Sequence, residues 1–371
     1  MQNEIELILS IAKHFRTEGA IVQAYRYGSG HINDTYRLDT APEGGTSYLL
    51  QRINRFIFPD AQNLMENVDL VCRHLQTKLA HLGKKEVQRK TLTIIPTHTN
   101  QLFYKDTNGE SWRMFWLIEN THSVDVVTTK MQAYAAGIAF GSFQRELADL
   151  DAKKIHVVLP RFHDIEHRLE NLHKALRAHP KGRAKEEAVE VLLREIASRE
   201  TAMCQDFLQR IVSASPLRII HNDTKFNNVL LDRDDQPQCV IDLDTVMPGY
   251  VAFDFGDAIR TIINRGREDE RDLNKVKLNV PLYEAYVKGY LEKAGAFLSD
   301  GEIESLLYGV YLLPFMQVVR FLTDYIEYDP YYKTQFSNHN LVRAQAQFKL
   351  LTELESQRDK LRSIIQHAIT S

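Results

Sequence analysis

Three bursts of alternating apolar and polar residues, "AIVQAYRY", "INDTYRLDT" and "SYLLQRIN", occupy the chain between about residues 21 and 54. A period of two marks half-buried strands, and the breaks at Gly28–Gly30 and at "APEGGT" are turn-rich, so the pattern predicts a three-stranded meander. Ahead of it, "MQNEIELILSIAKHF" has an amphipathic helical period. Behind it, "DAQNLMENVDLVCRHLQTKLA" places Leu64, Val68, Val71, Leu75 and Leu79 at helical spacing. Strand-like "TLTIIPT", "QLFYKD" and "WRMFWLIE" follow, the last two joined by the turn "TNGE". Further on the periodicity turns helical, over residues 131–150, 162–178, 184–213, 256–264, 280–296, 301–326 and 340–369, interrupted by one short strand pair near 229–243. The expected architecture is α+β and bilobal: a small antiparallel-sheet lobe over residues 1–118 and a larger, mostly helical lobe over residues 119–371. Clefts between two lobes are common ligand sites.

The first turn raises a chemical question. In "YRYGSGHINDTYRL" the third position of a dinucleotide-binding glycine motif is Asn33, and a strand, not a helix, follows. That argues against a Rossmann turn. Two readings remain: a plain glycine hairpin, or a flexible cover over phosphates in which Gly28, Ser29 and Gly30 let backbone N–H groups approach the oxygens. A phosphate cover expects a cation on the third strand. That strand offers Gln51 and Arg52 but no lysine, and Arg52 is expected to face away.

A second motif narrows the choice. "IIHNDTKFNNVLLD" contains His221-x-Asp223 with Asn228 five positions after the aspartate. This is the spacing of a kinase catalytic loop, in which the aspartate accepts the proton of the attacking hydroxyl and the asparagine holds magnesium. "VLLDRDDQPQCVIDLD" reads as strand, turn, strand. Folding it near Asp235 brings Asp242 close to Asn228, so the two can share a magnesium ion through oxygen ligands. Asp244 is then either a further ligand or an outer group. Asp254-Phe255-Gly256 spells the metal-binding triplet of protein kinases but lies well past Asp242; Asp254 is expected to N-cap the helix "FGDAIRTII", with a brace on the catalytic loop as its second expected role. The histidines of "FHDIEH" are spaced i,i+4 without the order of a zinc-protease motif, which argues against a metal there.

Composition excludes more than it selects. A formal net charge of −3 on 371 residues provides no basic footprint for nucleic acid. Three scattered cysteines, Cys72, Cys204 and Cys239, suit reduced thiols in a cytoplasm. No run approaches the ~18 apolar residues of a membrane span. Nothing demands more than a monomer.

"YGSGHINDTY", "HNDTKFNNVL", "IDLDTVMPG" and "RFLTDYIEYDPYYK" resemble the aminoglycoside phosphotransferase/choline kinase family over nearly the whole chain, and within it the bacterial N-acetylhexosamine 1-kinases. The resemblance implies a protein-kinase-like fold and transfer of the ATP γ-phosphate, with Mg2+, to the anomeric hydroxyl of N-acetylglucosamine or N-acetylgalactosamine. It carries the role of base to Asp223, magnesium ligation to Asn228 and Asp242, and nucleotide cover to Gly28–Gly30. Glu119 falls in the adenine-holding link, Gln51 stands where relatives place Lys or Arg, and Arg320, Tyr331 and His31 fall at sugar-contacting positions. Choline, homoserine, methylthioribose or an antibiotic are the rival acceptors. A kinase-like binding module without catalysis is expected to lack Asp223, Asn228 or Asp242.

Overall fold

A computed structural model of the chain describes residues 2–28, 32–41 and 45–370. The three alternating bursts form β1 (Ile21–Arg26), β2 (Asp34–Thr40) and β3 (Ser47–Ile53), an antiparallel meander. β4 (Ile94–Ile95) and β5 (Tyr104–Lys105) are far shorter than "TLTIIPT" and "QLFYKD" suggest. Pro96 has no N–H to extend the first, and the chain turns at once through Thr97 N–H to Gln101 O. β6 (Ser111–Trp116) lies directly against β3, giving the order β1-β2-β3-β6-β4 with β5 paired to β6.

The two sheet faces have different tasks. Tyr36, Leu38, Tyr48, Leu50, Trp112 and Met114 pack with Ile8 and Ile11 of α1 (Gln2–Ala12). On the other face Phe115 packs with Val68, Val71 and Cys72 of α2 (Ala61–Lys78), whose first turn is capped by Asp60. Period-two alternation sends Arg52 to the α1 face, where it pairs with Asp34 and lies 5.9 Å from the Trp112 ring. It sends Gln51 to the α2 face, opposite Arg113 in the β3–β6 register. A short helix that periodicity did not disclose, α3 (Lys84–Lys90), returns the chain to β4.

The helical region begins at α4 (Lys130–Leu147) and α5 (Ile165–Ala178). α6 (Glu187–Thr201) runs through a widened turn at 202–208 into α7 (Gln209–Ala214). Then come α8 (Val251–Ile262), α9 (Val280–Ala294) and α10 (Asp300–Ile326). The helix expected over 340–369 is two, α11 (His339–Ser356) and α12 (Arg358–Thr370), broken at Gln357. α10 starts in a Ser299/Glu302 capping box and is the core around which α5, α8 and α11 pack. It is long and apolar enough to cross a membrane by length and composition, contrary to the sequence expectation. Yet 94% of that apolar window is buried inside the protein, and this burial accounts for its apolarity. α8 meets α10 with no room for side chains: a Cβ on Gly256 would lie 2.2 Å from Gly309 O, and one on Gly309 1.9 Å from Ala252 O. That contact fixes α8 beneath the loop that carries Asp223. Cys72, Cys204 and Cys239 are free and buried.

Candidate active site

The segment after β7 (Arg218–Ile220) cannot be held by a ladder, because it turns sharply through Asn222 in the left-handed conformation at φ 67°. Its backbone is satisfied by carboxylates instead. Asp254 accepts His221 N–H and Asn222 N–H at 2.7 Å each and Gln144 Nε2 at 2.8 Å, while Asp257 accepts Thr224 N–H at 2.9 Å. α8 starts at Val251, so Asp254 is not the N-cap residue that the sequence suggests. Tyr250 holds that position, and Asp254 is a buried brace in the first turn. Burial pushes its carboxyl up to about 6, against the pull of His221 and its two N–H donors. His221 donates from Nε2 to Ile241 O at 2.9 Å and stands edge-on to Phe140 and Phe143, which ties the loop to the next hairpin.

On this brace Asp223 faces the cleft, with 27% of its side chain exposed. Lys225 Nζ is 3.1 Å from one carboxylate oxygen, and Asn228 Nδ2 donates to the other at 3.2 Å. Burial works to raise the Asp223 carboxyl. Lys225 and the other nearby cations outweigh it, so the group lies below its ordinary value and is ionised at neutral pH. Lys225 escaped the sequence reading, although its place two residues after a candidate base was a usable signal.

The hairpin of β8 (Val229–Leu231) and β9 (Pro237–Val240) turns at Asp235. Val229 faces Val240, and Ile241 N–H donates to Asn228 O at 2.9 Å, which sets Asp242 beside Asn228. Asp242 is left-handed at φ 61° and exposed to the cleft, with no hydrogen bond or ion pair to its carboxylate among the described residues. A non-glycine residue in that conformation carries strain of about 1–2 kcal/mol, a cost that clusters at functional sites. Burial, then Asp244 and Asp223, push its carboxyl up to about 6. An uncommitted carboxylate beside an amide and a second carboxylate is a donor set that fits a hard divalent cation.

Asp244 has a different fate. It lies in the turn Leu243–Thr245, 3% exposed, and both oxygens form a bidentate ion pair with Arg113 of β6. Asn33 Nδ2 adds a bond at 2.8 Å, and Gln51 Oε1 accepts Arg113 Nε at 2.9 Å. The sheet's α2 face is thereby bolted to the turn that also carries Asp242. Gln51 supports an arginine on the neighbouring strand. That arginine, 2% exposed among apolar residues of "SWRMFW", was the missed signal.

Of the other expected residues, Gly28 has φ 76°, a conformation that favours glycine, whereas Ser29, Gly30 and His31 lie outside the described residues. Glu119 follows β6 in the link to α4, its carboxylate on Ser47 at 3.2 Å and Arg37 at 3.5 Å. Arg320 and Tyr331 do meet, in a cavity of about 250 Å³ between α5 and α10, with Arg168, Lys174, Asp324 and Tyr332. The loop after α10 is pinned there by Asp324, which accepts the N–H groups of Tyr331 and Tyr332 and the Asn340 amide at 2.8–3.0 Å. His163 joins this cavity to the catalytic loop. Its Nε2 is 3.2 Å from Asn222 O, and the adjacent Phe162 ring lies 5.4 Å from the Arg320 guanidinium.

A braced loop with an ionised carboxylate, an open oxygen site and a cavity alongside is the arrangement of a group-transfer enzyme. The profile of the phosphotransferase enzyme family designated APH matches residues 24–297, well over half of the chain. The chain belongs to this family. Solved structures share the APH phosphotransferase fold at low identity. An aminoglycoside phosphotransferase from Alicyclobacillus acidocaldarius has TM-score 0.63 at 12% identity, with 96% of each chain covered. A spectinomycin phosphotransferase in complex with ADP and spectinomycin has TM-score 0.59 at 14% identity, covering 96% of this chain and 98% of that one. A choline kinase from Cryptosporidium parvum has TM-score 0.58 at 14% identity, covering 97% and 99%.

Proposed function

We propose that this phosphotransferase moves the γ-phosphate of ATP to the anomeric hydroxyl of an N-acetylhexosamine. The observation that carries the reading is the composition of the cavity beside the catalytic loop: Arg168 and Arg320 with Tyr331 and Tyr332, a donor-rich lining of monosaccharide size. Hydroxyl and acetamido oxygens accept from such groups, and tyrosine rings stack on a sugar face.

In this reading Asp223 accepts the proton of the attacking hydroxyl, and Lys225 keeps that carboxylate ionised between turnovers. Asn228 and Asp242 would hold Mg2+, which supplies charge neutralisation on the phosphates when bound. The loop from Gly28 covers the nucleotide, and the link at Glu119 borders its base. The Arg113–Asp244 bolt fixes the sheet's height above Asp242. The enzyme is a monomer working in the cytoplasm.

Another small hydroxyl acceptor, such as a cationic amino alcohol, is the second reading, because the fold neighbours include a choline kinase and a spectinomycin phosphotransferase. Choline is a cation, and two guanidinium groups in the cavity oppose it by charge. Incubation of a panel of sugars and amino alcohols with ATP and Mg2+ separates the readings, scored by product mass and by the hydroxyl that carries phosphate. N-acetylhexosamine 1-phosphate is the expected product, and choline or ethanolamine phosphate as the main product overturns the reading. Asp223→Ala is expected to lower turnover by about 10²–10⁴-fold with ATP binding largely kept.

A further inference from the structure

The tyrosine side of the cavity belongs to a segment with little local structure to hold it. Residues 327–338 join α10 to α11 without helix or strand, and Tyr328 and Asp329 stand next to each other in the left-handed conformation, at φ 67° and 63°. Non-glycine residues are strained there and stay only where their surroundings over-determine the backbone. Part of that restraint comes from α10. The Asp324 carboxylate accepts Tyr331 N–H at 2.9 Å and Tyr332 N–H at 3.0 Å, and Asp324 O accepts Asp329 N–H at 2.8 Å. These bonds fix the middle of the segment and leave its ends to other partners.

The ends meet at Arg183, in the polar connector between α5 and α6. Its Nη1 donates to Tyr325 O at 2.8 Å, in the last turn of α10, and pairs with the Asp329 carboxylate at 2.5 Å. Its Nη2 donates to Ser337 O at 3.0 Å, just before α11 begins. The guanidinium also lies 4.2 Å from the Tyr325 ring and 4.9 Å from the Tyr328 ring. One planar fork therefore bridges both ends of the segment, which the point charge of a lysine cannot do. Gly182, at φ 66°, makes room for this approach: a Cβ there would lie 2.8 Å from the Tyr328 hydroxyl. The Asn340 amide, at 2.9 Å, takes the other oxygen of Asp329. Arg183 is 19% exposed and does not itself line the cavity, yet all its contacts fall on or beside the segment that carries Tyr331 and Tyr332.

We propose that Arg183 is a positioning residue for acceptor recognition: by clamping both ends of residues 327–338 it keeps the Tyr331–Tyr332 wall of the cavity formed before the acceptor arrives. The consequence for the acceptor rests on the reading above, in which the sugar occupies this cavity. The clamp itself does not. Without Arg183 the strained segment opens, and the apparent acceptor affinity falls by the fraction of molecules in which the wall remains formed.

Two measurements on the full-length protein test it: amide hydrogen exchange over residues 327–338, and calorimetric titration with N-acetylglucosamine and, separately, with ATP. Arg183→Met should speed exchange in the segment by ~10-fold or more and weaken sugar binding by ~10-fold or more, with ATP affinity within about twofold. Arg183→Lys keeps the pairing with Asp329 but not both carbonyl bonds, and should recover part of each loss. Because the coupling is reciprocal, saturating N-acetylglucosamine should restore part of the lost protection in Arg183→Met. Should Arg183→Met fail to fold, Asp329→Asn removes only the charge from the clamp and is expected to move both readouts the same way. Exchange at the wild-type rate in a folded variant overturns the proposal. So does a faster segment with unchanged sugar affinity, or an equal loss of sugar and ATP binding. Arg320→Gln, titrated in parallel, separates this failure from that of the acceptor reading. If it weakens sugar binding while Arg183→Met does not, only the role of Arg183 falls. If neither does, or the wild-type protein binds no N-acetylglucosamine, the acceptor reading falls, and the clamp stands or falls on the exchange rates.

Discussion

Arg113 and the pair Arg168/Arg320 place the same guanidinium chemistry in opposite electrostatic settings. Arg113 is 2% exposed, doubly bonded to Asp244 and steadied by Gln51, so its charge is spent inside the protein. Arg168 and Arg320 line an open cavity, donate hydrogen bonds to neutral oxygens, with Arg320 also over the Phe162 and Tyr332 rings, and repel one another. The first arrangement holds two regions of the fold together at a fixed height. The second leaves interaction energy unused until something enters. Burial alone does not separate a structural arginine from a recognition arginine; the separating feature is whether a carboxylate of the protein already answers it.

The sharpest way to break that comparison is to remove the answer on the compensated side. Arg113→Met leaves Asp244 buried with its countercharge gone, at an expected cost of about 3–5 kcal/mol in urea unfolding. Arg113→Met combined with Asp244→Leu should recover most of that stability, since an apolar pair of similar bulk replaces a buried ion pair at little net cost. Turnover should stay low in the double variant, because Asp242 loses the anchor two residues away. Full activity in the double variant would make the bolt dispensable for catalysis.

The site was partly legible beforehand, for reasons that differ by residue. Asp223 and Asn228 share one short loop, and a hairpin with an obvious turn near Asp235 delivers Asp242, so local chain geometry sufficed. The Arg113–Asp244 pair joins residues 131 positions apart through a β3–β6 register that no local pattern encodes. Asp254 misled only in part, for a related reason: the expected brace on the catalytic loop is present and the expected cap is not. An acidic residue near a helix start reads as a cap, and only the packing of Gly256 on Gly309 shows α8 pressed under the catalytic loop, turning that carboxylate toward His221 and Asn222. Helix periodicity located α5, but which of its polar residues would meet α10 depended on a crossing that sequence does not state.

On the uncompensated side the expected effects are smaller in stability and larger in function. Arg320→Gln should reduce kcat/KM for the sugar by ~10–100-fold, the value of a charged hydrogen bond, with KM for ATP within about twofold. Its stability should be unchanged or up to ~1 kcal/mol higher, because a guanidinium without a counterion leaves the interior. Arg113→Met falls hard in stability. If Arg320→Gln were destabilised to the same degree, the two settings would not differ as the geometry says.

The smallest effect is a slope with pH, read at His163 between the cavity and the catalytic loop. Burial first, and then the Arg320 charge, push its imidazole down to about 3, with Nδ1 buried and unpartnered and Nε2 set against Asn222 O. In the unfolded chain the same ring takes a proton near pH 6.5. Between those values the unfolded state binds the extra proton. The stability contribution is therefore complete above about 6.5 and is lost as pH falls toward about 3, at up to ~1.4 kcal/mol per pH unit. His163→Gln keeps a donor for Asn222 O and has nothing to titrate, so its unfolding free energy should fall less steeply than wild type between pH 6 and pH 4.5. Arg320→Gln with His163 retained should lie between the two, since removing one like charge lets the ring's pKa climb some of the way back. Three parallel curves would mean that the ring does not feel the guanidinium beside it, and the unanswered charge of the cavity would lose its nearest internal reporter.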